Sequence, residues 1–345
     1  MKAVVQSGYG AAREVLSVAD MPTPEIQDDQ VLVKVLATSV HADIWHVMRG
    51  YPKVFRYLGI GRKGPKRPVP GTDLSGEVVA VGAQVSEFKV GDAVFGEVIN
   101  GMQWQNGGAF AQYAAVSPST LVHKPQNVSF AEAACVPTSG YIVTINLPPL
   151  TSGSRVLING AGGSVGTLAL QLAKAKGAQV TAVDENNKLA LLTLLGADQV
   201  VDYKKENVYD LGPFDLIFDV ASNLNFGRCK TLLADGGKYV IIGHDHYGQK
   251  GSPWFGNLPH FFRLMLQSIF DRHLPKITTK MPSQKSSLEA LKTLMTDGKV
   301  TPVVGKTFSL EEIHSAMDML IEGQSHGKII LLPNGPRVGQ NTDQD

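Results

Sequence analysis

The stretch Asn159-Gly160-Ala161-Gly162-Gly163-Ser164-Val165-Gly166 limits what this chain can fold into more than any other. It follows a short apolar run, Arg155-Val156-Leu157-Ile158-Asn159, and leads into a segment where Val165, Leu168, Ala169 and Leu172 recur at helical spacing. A strand that turns through small residues directly into a helix opens a βαβ unit. The turn reads as A-x-G-x-x-G, with Ala161, Gly163 and Gly166. Small residues let the backbone turn tightly and approach a pyrophosphate, and the helix N-terminus offers that anion N–H groups and a partial positive charge. Gly166 also lets the helix pack close to the sheet. The bland reading is a tight turn of any α/β domain. Against it stands an acid, Asp184, 21 residues after Gly163 and at the end of the strand Val180-Thr181-Ala182-Val183.

The expected ligand is therefore a dinucleotide, held at Gly160, Ala161, Gly163, Ser164, Val165 and Gly166. Asp184 can accept two hydrogen bonds from the adenosine ribose diol and repel a 2′-phosphate; its bland role is a helix N-cap. Glu185 adds a second negative charge, so NADH is expected over NADPH. Lys188 and Tyr203 are the residues that could reach a phosphate instead, and Gly243 joins the predicted coenzyme site.

Around this turn the pattern changes along the chain. Up to about residue 122 it is β-rich: Val31 to Leu36, Gly76 to Gly82, Gly91 to Gly96 and Ala109 to Val116 read as strands between turn residues, as in a small barrel or sandwich. From about 150, strands at 155–159, 180–183, 200–201, 216–218 and 239–242 alternate with helices at 165–176 and 188–195, which implies a parallel sheet with helices on both faces. After about 275 come a helix (287–295), an extended stretch (301–304), a helix (310–320) and a strand (328–332). The α/β unit is thus expected to be inserted into the first: 1–122 with 276–333 as one domain, 123–275 as the other, and 334–345 as a disordered tail. The length of 345 residues suits about two domains.

Composition removes several classes. Hydrophobic residues make up 43% and charged residues 18%, enough to bury a core. The net charge of +1 argues against a nucleic-acid binder. Two cysteines, Cys135 and Cys229, make neither a disulfide framework nor a four-thiolate zinc site. No signal-peptide pattern and no run of about 18 apolar residues occurs. A cytoplasmic protein is expected, with membrane contact at most peripheral.

The chain resembles the medium-chain dehydrogenase/reductase superfamily, most closely its zinc-independent, quinone-oxidoreductase-like branch. The marks are Pro70 to Gly82, Phe88 to Gly96, Gly160 to Gly166 and Leu195 to Tyr203, in a likeness running from Met1-Lys2-Ala3-Val4-Val5 to Gly327-Lys328-Ile329-Ile330. The resemblance implies an α/β fold: a GroES-like β-barrel domain plus a Rossmann domain with a doubly wound parallel sheet, the active cleft between them, and often a homodimer. Zinc-dependent members carry a Cys about where His41 stands, a His where Thr72 stands and a Cys near Pro137-Thr138-Ser139; many add a four-cysteine lobe, but Gly96 to Phe110 holds no Cys here. His41, Asp43, His46 and Asp73 match no ligand set of the family, so no metal is expected.

Without zinc, hydrogen-bond donors must polarise the carbonyl while the coenzyme supplies the hydride. His41 falls where the family places an Asn or His beside the nicotinamide, and Arg49-Gly50-Tyr51-Pro52 resembles the segment whose Tyr faces that ring. His41 and Tyr51 are the candidate donors; their bland readings are a satisfied structural His and a pocket wall. Asp43 stands one place earlier than the family's Asp. The expected function is an NAD(P)H-dependent oxidoreductase acting on an activated carbonyl, enone or quinone. Its alternatives are a non-catalytic coenzyme-binding module, crystallin-like or partner-binding, and, third, a zinc alcohol dehydrogenase. Two features stand apart. Tyr51 to Pro68 carries six basic residues and no acid, a run suited to an anionic substrate or membrane surface, or more plainly a solvated loop at the cleft mouth. Pro259 to Arg272 shows an apolar surface broad enough for a helix buried against the substrate pocket or a partner subunit, with peripheral membrane contact as the lesser reading.

Overall fold

The computed structural model describes residues 1–99, 105–243, 247, 249, 251–276 and 281–335. The first unit is built from β1 (Lys2–Gln6), β2 (Leu16–Asp20), β3 (Val31–Val40), β4 (Asp73–Val81), β5 (Ala93–Glu97), β6 (Tyr113–Val116) and β7 (Leu121–His123), with helices α1 (Ala12–Val15) and α2 (Asp43–Arg49). β1 and β2 pair antiparallel by themselves. In β3, Val31, Val33 and Val35 alternate inward onto Leu74, Val78, Val94 and Leu121, the period-2 pattern of a strand with one face in a core. Helices α3 (Phe130–Ala134) and α4 (Pro137–Asn146) follow. Ser129 caps α3 through a reciprocal bond with Glu132, and α3 then packs on β3 and β4.

The second unit holds β8 (Arg155–Asn159), α5 (Ser164–Ala175), β9 (Gln179–Asp184), α6 (Asn186–Leu194), β10 (Gln199–Asp202), β11 (Phe214–Asp219), α7 (Phe226–Cys229), β12 (Leu233–Ile241) and α8 (Leu258–Gln267). Its five strands are parallel, in the order β10-β9-β8-β11-β12. Val156, Leu157 and Ile158 are fully buried, because a parallel sheet is covered on both faces. The chain winds outward from β8 through β9 to β10, then returns to the other side of β8 with β11. The strand order therefore reverses between β8 and β11, and the crevice at the C-terminal ends of these two strands is where such sheets take ligands.

After α9 (Gln284–Thr296) the chain returns to the first sheet. β13 (Val304–Phe308) lies parallel to β14 (Lys328–Leu331), β14 lies antiparallel to β3, and α10 (Ile313–Ile321) joins them. The sheet runs β13-β14-β3-β4-β5-β7, with β6 also on β3. On this topology we propose the two units as 1–122 with 276–333, and 123–275. One apolar cluster joins Ala37, Phe95 and Ile330 of the first sheet to Val156 and Ile158 of the second and Leu168 of α5, so the two units share a seam.

Four expectations change. The extended stretch foreseen at 301–304 begins as a strand only at Val304, where pairing with β14 starts. In the stretch 109–116 only Tyr113–Val116 is strand. In the tail, Asn334 is pinned by donating to the Val35 and Gln112 carbonyls at 2.8 and 3.2 Å, while 336–345 lie outside the described residues. The apolar segment after Pro259 forms α8, yet only Leu264 and Ser268 there are buried; Phe262, Leu266, Ile269 and Phe270 face solvent. It is not packed on the cleft, since no residue of 258–272 is among those that line it.

Candidate active site

A cleft of about 690 Å³ opens between the two units. Gly160, Gly163, Ser164, Val165, Asp184, Lys188, Tyr203 and Gly243 line one end, and Val40, His41, Asp43 and His46 the other. At the first end, Gly160 turns the chain with φ +81°, a conformation that favours glycine. A Cβ on Gly166 would stand 2.3 Å from the Gly160 carbonyl, so the helix can approach the turn this closely only without a side chain there. Gly163 caps α5 without a side chain of its own, which leaves the helix N-terminus to the cleft. Ala161 and Gly166 stand behind this surface and shape it.

Asp184 does not cap α6; Glu185 holds that position. The Asp184 carboxylate turns back into the loop, accepting the Gly162 N–H at 2.7 Å and the Glu185 N–H at 2.9 Å. Lys188 Nζ lies 3.4 Å from it and donates to the Gly323 carbonyl at 3.2 Å. Glu185 accepts from the Tyr203 hydroxyl at 2.7 Å and pairs with Lys204 at 3.0 Å, bonds that hold its carboxyl below the usual range. Tyr203 is pushed up to about 12, by burial first and then by Glu185. The floor at the switch point is a knot the sequence did not announce. Buried Asp219 accepts from Asn159 Nδ2 (2.7 Å), the Tyr239 hydroxyl (2.8 Å) and the Ser222 N–H (2.7 Å). The Gly243 N–H donates to Ser222 Oγ at 2.9 Å, which ties the β12 loop to the same knot.

At the other end, His41 is buried at the end of β3. Its Nδ1 accepts the Asp43 N–H at 3.3 Å and lies 3.5 Å from Asp43 Oδ2. When Nδ1 accepts, the neutral ring carries its proton on Nε2; when both nitrogens are protonated, Nε2 still donates. Asp43, one place early, is thus the group that orients His41. His46 joins it one helical turn further on. Its Nδ1 faces the Tyr51 carbonyl at 3.0 Å, and burial holds the ring below the usual histidine range. Tyr51 is not in the cleft lining. Its ring lies behind His46 and edge-on to Trp45, and its hydroxyl donates to the Ser252 carbonyl at 3.3 Å. Tyr247, stacked on Trp45 at 4.9 Å, lines the cleft in its place.

Beneath both ends runs a buried polar chain. Lys328, 1% exposed, lies 3.2 Å from Asp73, which is fully buried. Asp73 also accepts from Ser39 Oγ (2.5 Å), the Thr138 N–H (3.0 Å) and the Thr138 hydroxyl. Lys328 Nζ donates to Ser139 Oγ at 3.0 Å, and Ser139 Oγ to Ser164 Oγ at 3.3 Å, at the first residue of α5. Glu97 lies in the same field, and burial followed by the Asp73 charge raises its carboxyl well above the usual range.

Comparison with known proteins bears on the family of this fold. Residues 27–126 match the family described as alcohol dehydrogenase GroES-like domain, and residues 195–331 the family described as zinc-binding dehydrogenase. The quinone oxidoreductase QR1 of Triphysaria versicolor is 31% identical over 350 residues, covering 96% of this chain and 98% of that protein. An NAD-dependent alcohol dehydrogenase of Sulfolobus acidocaldarius is 32% identical, covering 96% and 99%. The solved quinone oxidoreductase of Coxiella burnetii superposes with a TM-score of 0.80 at 26% identity, covering 97% and 99%. The chain belongs to the medium-chain dehydrogenase/reductase superfamily, in its quinone-oxidoreductase-like branch. It is a nicotinamide-dependent oxidoreductase.

The zinc named in one of these descriptions does not fit the residues present. Among the described residues no group of three or more His, Cys, Asp or Glu could hold an ion. Thr72, where zinc-dependent members carry a His, and Thr138, in the stretch near their second Cys, face each other as hydroxyls 3.4 Å apart, and the ammonium of Lys328 already pairs with Asp73 beside them. Cys135 is a buried thiol pushed far up by burial, with its S–H turned to the Ala131 carbonyl. The nicotinamide coenzyme does fit: the close helix approach at Gly166 and the open face at Gly163 make a cradle a larger residue would fill.

Proposed function

We propose that this protein reduces an activated carbonyl, enone or quinone with NADH and without zinc. The observation that carries the reading is one continuous cleft whose lining runs from the α5 N-terminus to His41, whose Nδ1 is turned to Asp43. Bound there, a reduced nicotinamide supplies the hydride. Gly160, Gly163, Ser164 and Val165 would hold the diphosphate, with Ala161 and Gly166 shaping the turn behind them. His41 donates to the substrate oxygen as negative charge gathers on it, and Asp43 keeps its ring in place. Tyr51 acts from behind, through His46. Ile142, Ile145 and Leu320 line the cleft and thin the water within it. The names of relatives support this substrate class. They include a 2-methylene-furan-3-one reductase of Solanum lycopersicum, 30% identical and covering 96% of this chain and 79% of that protein, and the Triphysaria quinone oxidoreductase. The test is coenzyme oxidation over a panel of quinones, enones and aldehydes. Turnover on at least one member is expected, and tight coenzyme binding with no turnover on any would return the non-catalytic module.

The preference for NADH rests on Asp184 and Glu185, two carboxylates at the adenosine end, with Lys188 already engaged by Asp184 and Gly323. Relatives divide on this point: the Sulfolobus name specifies NAD and an Arabidopsis thaliana alkenal/one oxidoreductase name specifies NADPH. Fluorescence titration decides it, and tighter NADPH binding would give the phosphate to Lys188 or Tyr203. We further place the protein in the cytoplasm as a homodimer that binds no nucleic acid. Two buried, unpaired thiols support the compartment and a net charge of +1 supports the absence of nucleic acid, while the homodimer rests on the family resemblance. Among the described residues no helix is long and apolar enough to cross a membrane.

A further inference from the structure

We infer that the face made by residues 53–67 and 252–270 is a docking surface for an anionic lipid bilayer. The two segments are far apart in sequence and are joined by backbone bonds. The Lys53 N–H donates to the Pro253 carbonyl at 3.3 Å and the Val54 N–H to the Trp254 carbonyl at 3.1 Å, while Tyr57 stacks on Trp254 at 5.9 Å. From there the chain runs directly into α8. On that helix and the turn that ends it, Phe262, Met265, Leu266 and Ile269 stand exposed at i, i+3, i+4 and i+7, a single apolar stripe turned away from buried Leu264 and Ser268. Trp254 and Phe255 extend the stripe at one end, and Phe270, 91% exposed, at the other.

The charge around this stripe has one sign. Lys53, Arg56, Arg62, Lys63, Lys66, Arg67 and Arg263 fall within the two segments, and neither segment contains an acid. Lys53, Arg62, Lys63, Lys66, Arg67 and Arg263 are exposed; Arg56 is held by the Gly50 and Arg49 carbonyls. The acid that follows, Asp271, is ion-paired with Lys230. An apolar stripe beside a basic, acid-free run matches the interface of an anionic bilayer, where aromatic and aliphatic side chains enter the headgroup boundary and Lys and Arg meet the lipid charge. A second copy of the chain fits less well. A twofold axis through this face would set its cations against one another. A nucleic acid would pair with the charge and leave the stripe in water.

The face lies one side chain from the cleft, since Tyr51 bonds Ser252 on one side and stacks on His46 on the other. A quinone or enone dissolved in the bilayer would then meet the cleft from the membrane side, an extension that rests on the function proposed above. Pelleting tests the docking alone, and turnover of a water-soluble quinone tests the reaction class, so the two fail separately.

The experiment is co-sedimentation of the full chain with phosphatidylcholine vesicles, with and without phosphatidylglycerol. Binding to the anionic vesicles is expected to exceed binding to the neutral ones by about tenfold or more, and to weaken in high salt. The double variant Phe262→Glu with Ile269→Glu abolishes binding to both. Lys63→Glu with Lys66→Glu removes most of the anionic preference, by about tenfold. Both variants change only exposed side chains and keep the wild-type melting temperature and the turnover of a soluble quinone. Failure of the wild type to pellet with anionic vesicles overturns the proposal. So does light scattering that shows a dimer which Phe262→Glu with Ile269→Glu splits into monomers, since a second copy then covers the face.

Discussion

The two ends of the cleft are built by opposite means. At the coenzyme end, one continuous stretch of chain, 159–166, does most of the work, and it works by leaving side chains out. Gly160 supplies a left-handed turn, Gly166 a close approach, and the helix N-terminus a charge that belongs to the backbone. At the substrate end, side chains converge from His41, Asp43 and His46, and beneath them lie Asp73, Thr138, Ser139 and Lys328, drawn from four separate segments. The first arrangement is local and tolerates change outside its few small residues. The second is held by ionic and polar groups buried together, so each member is costly to remove alone.

That contrast can be broken most directly at Lys328. Lys328→Met leaves Asp73 charged and buried without its partner, and is expected to cost about 3–5 kcal/mol in urea denaturation. Adding Asp73→Asn should return part of the loss; if Lys328→Met is as stable as the wild type, the buried pair does not organise the substrate end. Next in size, His41→Ala should lower kcat by about a hundredfold or more with the coenzyme dissociation constant nearly unchanged. A drop in coenzyme affinity instead would move His41 out of the donor role. Gly166→Val tests the other end: overpacking against the Gly160 carbonyl should cost about 1–3 kcal/mol and weaken NADH binding, as titration would show.

The smallest effects are in pH dependence, with opposite signs at two buried groups. The folded pKa of Glu97 is raised, so its contribution to stability is complete below the unfolded carboxylate value of about 4.3 and is lost as pH rises through the folded value. Glu97→Gln should flatten the fall in melting temperature on the alkaline side. Burial lowers His46, so its contribution is present above about 6.5 and is lost as pH falls through the folded value. His46→Gln should flatten the acid limb, and melting curves across pH read both.

The legible parts of the molecule are those whose physics is short in range. Strands β8 and β9 and helix α5 could be placed to within a residue or two, because period and turn chemistry are written in adjacent positions. Helix α8 shows where this fails. Its amphipathic pattern was plain, but periodicity does not say what covers an apolar face, and among the described residues most of this one faces solvent. Asp184 was correctly placed at the strand end, yet the direction of its carboxylate depended on the Gly162 and Glu185 amides. Tyr51 was singled out by resemblance, while Tyr247 takes the lining position through a stack on Trp45 that no spacing foretells.

From sequence alone came the βαβ turn, the inserted order of sheets and the absence of the family's zinc-ligand pattern, since each follows from neighbouring residues or from which residue types are present. The tertiary fold decided that Lys328 pairs with Asp73 beside Thr72 and Thr138, and that a basic loop and an apolar helix share one face. These depend on residues tens to hundreds of positions apart meeting within a few ångströms, and only strand pairing between β14, β3 and β4 brings the first of them together.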